Sequence, residues 1–117
     1  MSRDFRFHQV PVDVLGYEIA EERAAALGRM GRALEQALTR LREFDAAHPR
    51  SDAAAARQAR RTLLAEAGHA LWMLVVQREA CGLRDSRTVM RTYNVPGEVQ
   101  QVMGPLLASS KRTAEGS

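Results

Sequence analysis

Two side chains able to bind a metal stand one helical turn apart in the second half of the chain. Glu66 and His69 form a Glu-x-x-His pair, and at this spacing both side chains project from the same helix face. Such pairs bind metal in di-iron four-helix bundles, together with further glutamates. Only one pair is present, so a symmetric dimer and Glu22 or Glu35 would have to complete the site. Glu66 and His69 are therefore a candidate metal or small-ligand site, although a half-buried His69 bonded to Glu66 is the favoured interpretation.

A nucleophile-and-base pair is excluded within one chain. The lone cysteine, Cys81, lies twelve positions after His69 on the same predicted helix, a separation of about 18 Å. That is too far for direct proton transfer. A Gly-rich phosphate loop, a serine elbow and a Cys-x-x-Cys pair are also missing from the sequence. We therefore expect neither a catalytic site nor a cofactor.

Three arginines follow the predicted second helix. The segment 82–91 resembles a helix-turn-helix, since Thr88-Val89-Met90-Arg91 matches the start of many recognition helices. Arg84, Arg87 and Arg91 would line one face, as phosphate or guanine contacts require. The turn is one residue too long for the motif, and the helix before it is too long as well. DNA binding is therefore an alternative function, and an exposed basic face on a short capping helix is favoured.

Composition limits the class of protein. The 117 residues are the length of one domain, and 45% hydrophobic with 26% charged residues is typical of a globular chain. The net charge of +3 comes without a polybasic tract, which gives nucleic acid little support as a partner. The longest apolar run, 70–76, is too short to span a bilayer. Because the N-terminus does not resemble a signal peptide either, we expect a cytoplasmic protein with no membrane partner.

Helical periodicity dominates the sequence. Apolar residues recur at spacings of three and four from Leu15 to Phe44, which predicts an amphipathic helix over 14–45. A loop around Pro49 separates it from a second helix, predicted over 52–81 and ended by Gly82.

Two short helices are predicted within 86–104, after the second long helix. An N-terminal arm, 1–12, precedes the first helix, and a flexible tail, 108–117, ends the sequence given. Since a short loop makes long helices run antiparallel, the predicted fold is all-α: one domain, 1–117, built as a long antiparallel helical hairpin with two short C-terminal helices.

The stretch from Ala70 to Val76 is apolar on every side of its helix. A two-helix hairpin covers only one side, and a large apolar patch left exposed usually marks an interface. We therefore predict self-association into a homodimer with a four-helix-bundle core, with Trp72, Met73 and Val76 in the interface. The alternative is a monomer in which residues 85–107 fold back over this stretch.

Two glycines lie inside the first predicted helix, where each costs about 1 kcal/mol relative to alanine. We expect Gly28 and Gly31 to let Glu66, His69 or Trp72 of the second helix approach the backbone closely.

The stretch 77–85, QREACGLRD, and the later Tyr93-Asn94-Val95-Pro96 are similar to short bacterial proteins of uncharacterised families. The likeness extends over about residues 14–104. It implies an all-α fold and a bacterial source, and it carries over no activity and no catalytic residue. The function predicted is therefore protein–protein interaction, with the partner unknown beyond a second copy.

Overall fold

Four helices form the part of the chain that the structure describes. The structure is a computed structural model, and it describes residues 12–105. The helices are α1 (Val12–Ala47), α2 (Ala54–Ala80), α3 (Ser86–Thr92) and α4 (Gly97–Gln101), and no strand occurs among the described residues. The all-α prediction is confirmed. The arm predicted for 1–12 lies outside the described residues apart from Val12, and so does the tail predicted for 108–117.

α1 and α2 form an antiparallel hairpin. The predicted ranges, 14–45 and 52–81, lie within two residues of the observed ones. Two ion pairs show the antiparallel direction: Arg60 Nε lies 2.8 Å from Asp45 Oδ1, and further from the loop Arg40 Nη2 lies 4.0 Å from Glu66 Oε1. The core lies between the two helices and under residues 83–105, which we call the C-terminal segment. It consists of Leu34, Ala37, Leu38, Leu41, Ala67, Leu71, Leu74, Val75, Val89, Val95 and Val99.

Gly82 ends α2, as the sequence indicates. Its φ of +86° lies in the left-handed region that glycine adopts without steric cost. The N–H of Leu83 then donates to the carbonyl of Arg78 at 2.8 Å, and the N–H of Gly82 donates to Glu79. These bonds satisfy carbonyls that the end of a helix would otherwise leave unpaired. The chain reverses here and carries α3 back along the hairpin.

The C-terminal segment covers one side of the hairpin. Asp85 caps α3, because its Oδ1 accepts a hydrogen bond from the backbone N–H of Arg87 at 3.1 Å. That bond is the main reason why the pKa of Asp85 lies below its usual value. Val89 on α3 and Val99 on α4 are then buried against the hairpin.

The glycines of α1 have a different neighbour from the one expected. A Cβ on Gly31 would meet the hydroxyl of Tyr93, which follows α3, whereas a Cβ on Gly28 would meet only the guanidinium of Arg32, at 3.4 Å. The prediction that α2 side chains approach these two glycines was wrong. The close approach to α2 occurs instead at Gly68, where a Cβ would lie 2.7 Å from the carbonyl oxygen of Val102.

Arg60 of α2 forms ion pairs with both α1 and α4 near the loop. Arg60 of α2 donates to both carboxylate oxygens of Asp45 at 2.8 and 3.0 Å, and also to Glu98 of α4. The hydrogen bond from Arg60 is the largest influence on the pKa of Asp45 and lowers it. The same two partners raise the pKa of Arg60. The loop end of the hairpin is therefore held by ion pairs as well as by apolar packing.

Candidate interaction surface

The side of α2 that points away from α1 is apolar in its second half. We call it the outer face. It comprises Ala65, His69, Trp72, Met73, Val76 and Ala80. These residues recur at spacings of three and four, half a turn from the buried residues Leu71, Leu74 and Val75. Residues 67–77 contain no Asp, Glu, Lys or Arg, so the outer face has no strongly charged side chain along three turns.

The three side chains predicted for an interface lie together on this face. Met73 is 37% exposed, Val76 is 42% exposed and Trp72 is half-buried. The ring of Trp72 lies 6.1 Å from that of His69, at an angle of 31°. The C-terminal segment covers another side of the hairpin: Val89, Val95 and Val99 belong to the core cluster, and neither Met73 nor Val76 belongs to that cluster or packs against it. Whether the outer face is an interface stays a prediction.

A second exposed apolar region was not foreseen. Every residue from 13 to 25 at the start of α1 is exposed, and we call 12–25 the N-terminal extension. It includes Val14, Leu15, Tyr17 and Ile19, with exposures of 47%, 49%, 69% and 52%. The predicted helices were almost equal in length, whereas α1 has 36 residues and α2 has 27. Leu15 and Ile19, expected on the packed face, therefore lie outside the core.

Glu66 and His69 are half-buried on α2, and His69 belongs to the outer face. Oε1 of Glu66 lies 4.0 Å from Nη2 of Arg40 on α1, and His69 lies beside Trp72. Within residues 12–105, no three His, Cys, Asp or Glu side chains are grouped closely enough to hold a metal ion. The metal or ligand site at this pair stays a prediction. The positive charge of Arg40 faces the Glu66 carboxylate, which disfavours a metal cation there.

The three arginines do not share one helix. Arg87 and Arg91 lie one turn apart on α3, but Arg84 precedes the helix. All three are exposed, and the side chain of Arg87 is 87% exposed, with its Nε 3.8 Å from Asp85. α3 has seven residues, about 10 Å, and its buried Val89 turns one side of that short length to the core. Arg84 therefore does not share a helix with Arg87 and Arg91, and nucleic-acid binding through these three arginines stays a prediction.

An open groove of about 410 Å³ lies between α1 and the end of α3, lined by Glu35, Leu38, Thr39, Arg42, Thr92 and Tyr93. The cation in it is already engaged. Nη2 of Arg42 donates to the carbonyl of Asn94 at 2.9 Å and to that of Tyr93 at 3.4 Å. Since carbonyls at a helix end attract cations, Arg42 acts as a cap on the C-terminal end of α3.

The comparisons with known proteins place the chain in a family. The sequence model of DUF6665, a family of unknown function, matches residues 8–112. The chain belongs to this family. The search of curated proteins and the search of solved structures each found no match. The resemblance to an uncharacterised family is thereby confirmed, while the bacterial source stays a prediction.

The match to DUF6665 covers all of the described residues, 12–105, including the outer face and the N-terminal extension. The family assigns no activity, so function has to be argued from these surfaces. Within residues 12–105, every helix is too short or too polar to cross a lipid bilayer.

Proposed function

We propose that this chain is a non-enzymatic cytoplasmic protein that works through protein–protein contact, first with a second copy of itself, by the outer face of α2. The observation that carries the proposal is the cluster of Trp72, Met73 and Val76 on an accessible, uncharged helix face. Protein interfaces are enriched in tryptophan and methionine at their centres, where charged residues are rare.

Covering this face contributes favourably to association. Burying a methionine or valine side chain completely stabilises by about 1.5–3 kcal/mol. Met73 and Val76 are each about two-fifths exposed, so each contributes a part of that amount. A twofold dimer counts each contribution twice, and it surrounds the face with helices from both copies, as in a four-helix bundle.

The solution mass tests this proposal. Wild-type protein should have twice the 13.0 kDa chain mass in size-exclusion chromatography with light scattering. Val76→Glu should shift the equilibrium to monomer, because the interface would bury an unpaired carboxylate. Gln58→Glu is the matched control, since Gln58 is exposed and lies 18 residues before Val76, five full turns along the same line of α2.

A wild-type protein that is monomeric at every concentration measured would contradict the proposal. So would a dimer that Val76→Glu leaves intact. Circular dichroism of both variants checks that the helices are retained, and we expect them to be, because both positions are exposed.

The two alternatives have weaker support. Nucleic-acid binding through Arg84, Arg87 and Arg91 would depend on a seven-residue helix and a preceding turn. A metal or ligand site at Glu66 and His69 would need donors from elsewhere, with Arg40 already opposite the glutamate. Both stay predictions, ranked below self-association.

A further inference from the structure

The N-terminal extension and the outer face of α2 both expose large apolar side chains, Leu15 and Ile19 on the first and Met73 and Val76 on the second. Residues 12–25 of α1 span about 20 Å, similar to the length of α2 between Ala65 and Ala80. Leu15 and Ile19 lie one turn apart, beside the small residues Gly16 and Ala20. A Cβ added to Gly16 would meet no atom within 4 Å. This side of the extension therefore offers two aliphatic side chains next to a shallow depression, a shape that fits a large ring such as that of Trp72.

The difference in helix length leaves one side of the extension without a neighbouring α2, which is room for a helix of a second copy. α1 exceeds α2 by nine residues, about 13 Å, and continues beyond the end of α2 in the direction of its own axis. Leu15 and Ile19 belong to the periodic apolar series that leads into the core face of α1, so they face the side on which α2 packs. A twofold axis near the end of α2 places the partner's α2 in that position, with its outer face toward the extension.

Charge favours the same pairing. The extension contains Asp13, Glu18, Glu21 and Glu22, against one basic residue, Arg23. The end of α2, the following turn and α3 contain four arginines, Arg78, Arg84, Arg87 and Arg91, against Glu79 and Asp85. The twofold arrangement brings the acidic extension of one copy near this arginine-rich end of the other. Complementary charges of this kind orient partners and suppress other pairings.

We infer that the occupant of the outer face is the N-terminal extension of a second copy, so that each dimer contains two identical contacts between an extension and an outer face. The inference rests on the proposed self-association and adds the element that covers the face. It assigns Leu15 and Ile19 to the interface. Two outer faces do not meet each other in this dimer.

A pair of substitutions on the extension gives the first test. Ile19 and Tyr17 are both exposed, but a separation of two residues puts them on nearly opposite sides of the helix. Ile19→Glu should weaken dimerisation about tenfold or more in dissociation constant, whereas Tyr17→Glu should leave the constant unchanged. Sedimentation equilibrium over a range of concentrations measures both.

Cross-linking identifies the contact directly. Three single-cysteine chains are prepared in a Cys81→Ser background. They carry Ile19→Cys, Leu15→Cys or Val76→Cys, and the first two positions lie one turn apart on the extension. A short bis-maleimide reagent should link a Val76→Cys chain to an Ile19→Cys or Leu15→Cys chain in the mixture. Each of the three chains alone should give no linked dimer.

The outcomes separate this inference from the proposed function. A monomeric wild type would overturn both. A wild-type dimer that cross-links through Val76→Cys alone, or that survives Ile19→Glu but not Val76→Glu, would retain self-association and overturn the role of the extension. A wild-type dimer with no link in either mixture would overturn it as well.

Discussion

The two ends of α1 carry similar sequence patterns and have different surroundings. Leu34 and Leu38, near the loop, are 0% and 1% exposed, whereas Leu15 and Ile19, in the extension, are about half exposed. Both pairs are spaced by four residues in one continuous helix. The difference arises because α2 is nine residues shorter and the C-terminal segment folds over the loop-proximal half. Periodicity thus identifies the apolar side of a helix, and the length of its neighbours decides how much of that side is covered.

The ion pairs follow the same division. In the extension, Glu22 pairs with Arg29 at 3.4 Å, a contact within α1. Near the loop, Arg60 joins α2 to both α1 and α4. Contacts at the free end therefore support a single helix, whereas those at the loop end connect separate parts of the chain. Folding stability should be concentrated at the loop end.

The largest expected effect comes from truncating one leucine in each half. Leu34→Ala should lower the free energy of unfolding by about 2–5 kcal/mol, because a fully buried side chain leaves a cavity. Leu15→Ala should change it by roughly 0.5 kcal/mol or less. Urea unfolding followed by circular dichroism measures both, in a Val76→Glu background that separates folding from association. Equal losses from the two variants would contradict the division of α1.

Two glycines test the same difference in packing at the level of the backbone. Gly68→Ala would put a Cβ 2.7 Å from the carbonyl oxygen of Val102. The overpacking, about 1–3 kcal/mol, exceeds the helix propensity gained, about 1 kcal/mol. We expect a net loss of up to about 2 kcal/mol. Gly16→Ala, with open space around the new methyl group, should stabilise by about 0.5–1 kcal/mol.

The same urea titrations in the Val76→Glu background measure both glycine variants. A stabilising Gly68→Ala would mean that the segment around Val102 does not pack on α2, and the described C-terminal closure would then be wrong.

The smallest effect concerns the ion pairs at the loop end. The folded-state pKa of Asp45 is below its ordinary value of 3.8, so its stabilising contribution is present above about pH 4. The contribution is lost as pH falls through the lowered folded pKa. Asp45→Asn should therefore lower the free energy of unfolding at pH 7 by about 0.2–1 kcal/mol, as for partly exposed pairs.

The difference between Asp45→Asn and wild type should shrink as the pH is lowered below 4. Asp52→Asn, at an exposed aspartate in the adjoining loop, is the matched control. A difference that persists undiminished at the lowest pH would show that the ion pair with Arg60 is not its source.

Much of the fold could be read from local patterns. The helix spacing, the loop at Pro49 and the glycine after Cys81 each act over a few residues, so they predict the helices and their ends. The neighbours of Gly31 could not be read in this way, because Tyr93 reaches it only after two reversals of the chain. Likewise, spacing alone puts Trp72 near Val76 on one face, but the exposure of that face depends on where α3 packs.

The helices, their apolar sides and the end of α2 at Gly82 follow from local sequence, because they depend on backbone conformation and on spacing within one element. Which apolar residues are covered depends on the tertiary structure. Burial depends on the relative lengths and positions of distant elements, and these left Leu15, Ile19 and the outer face of α2 exposed.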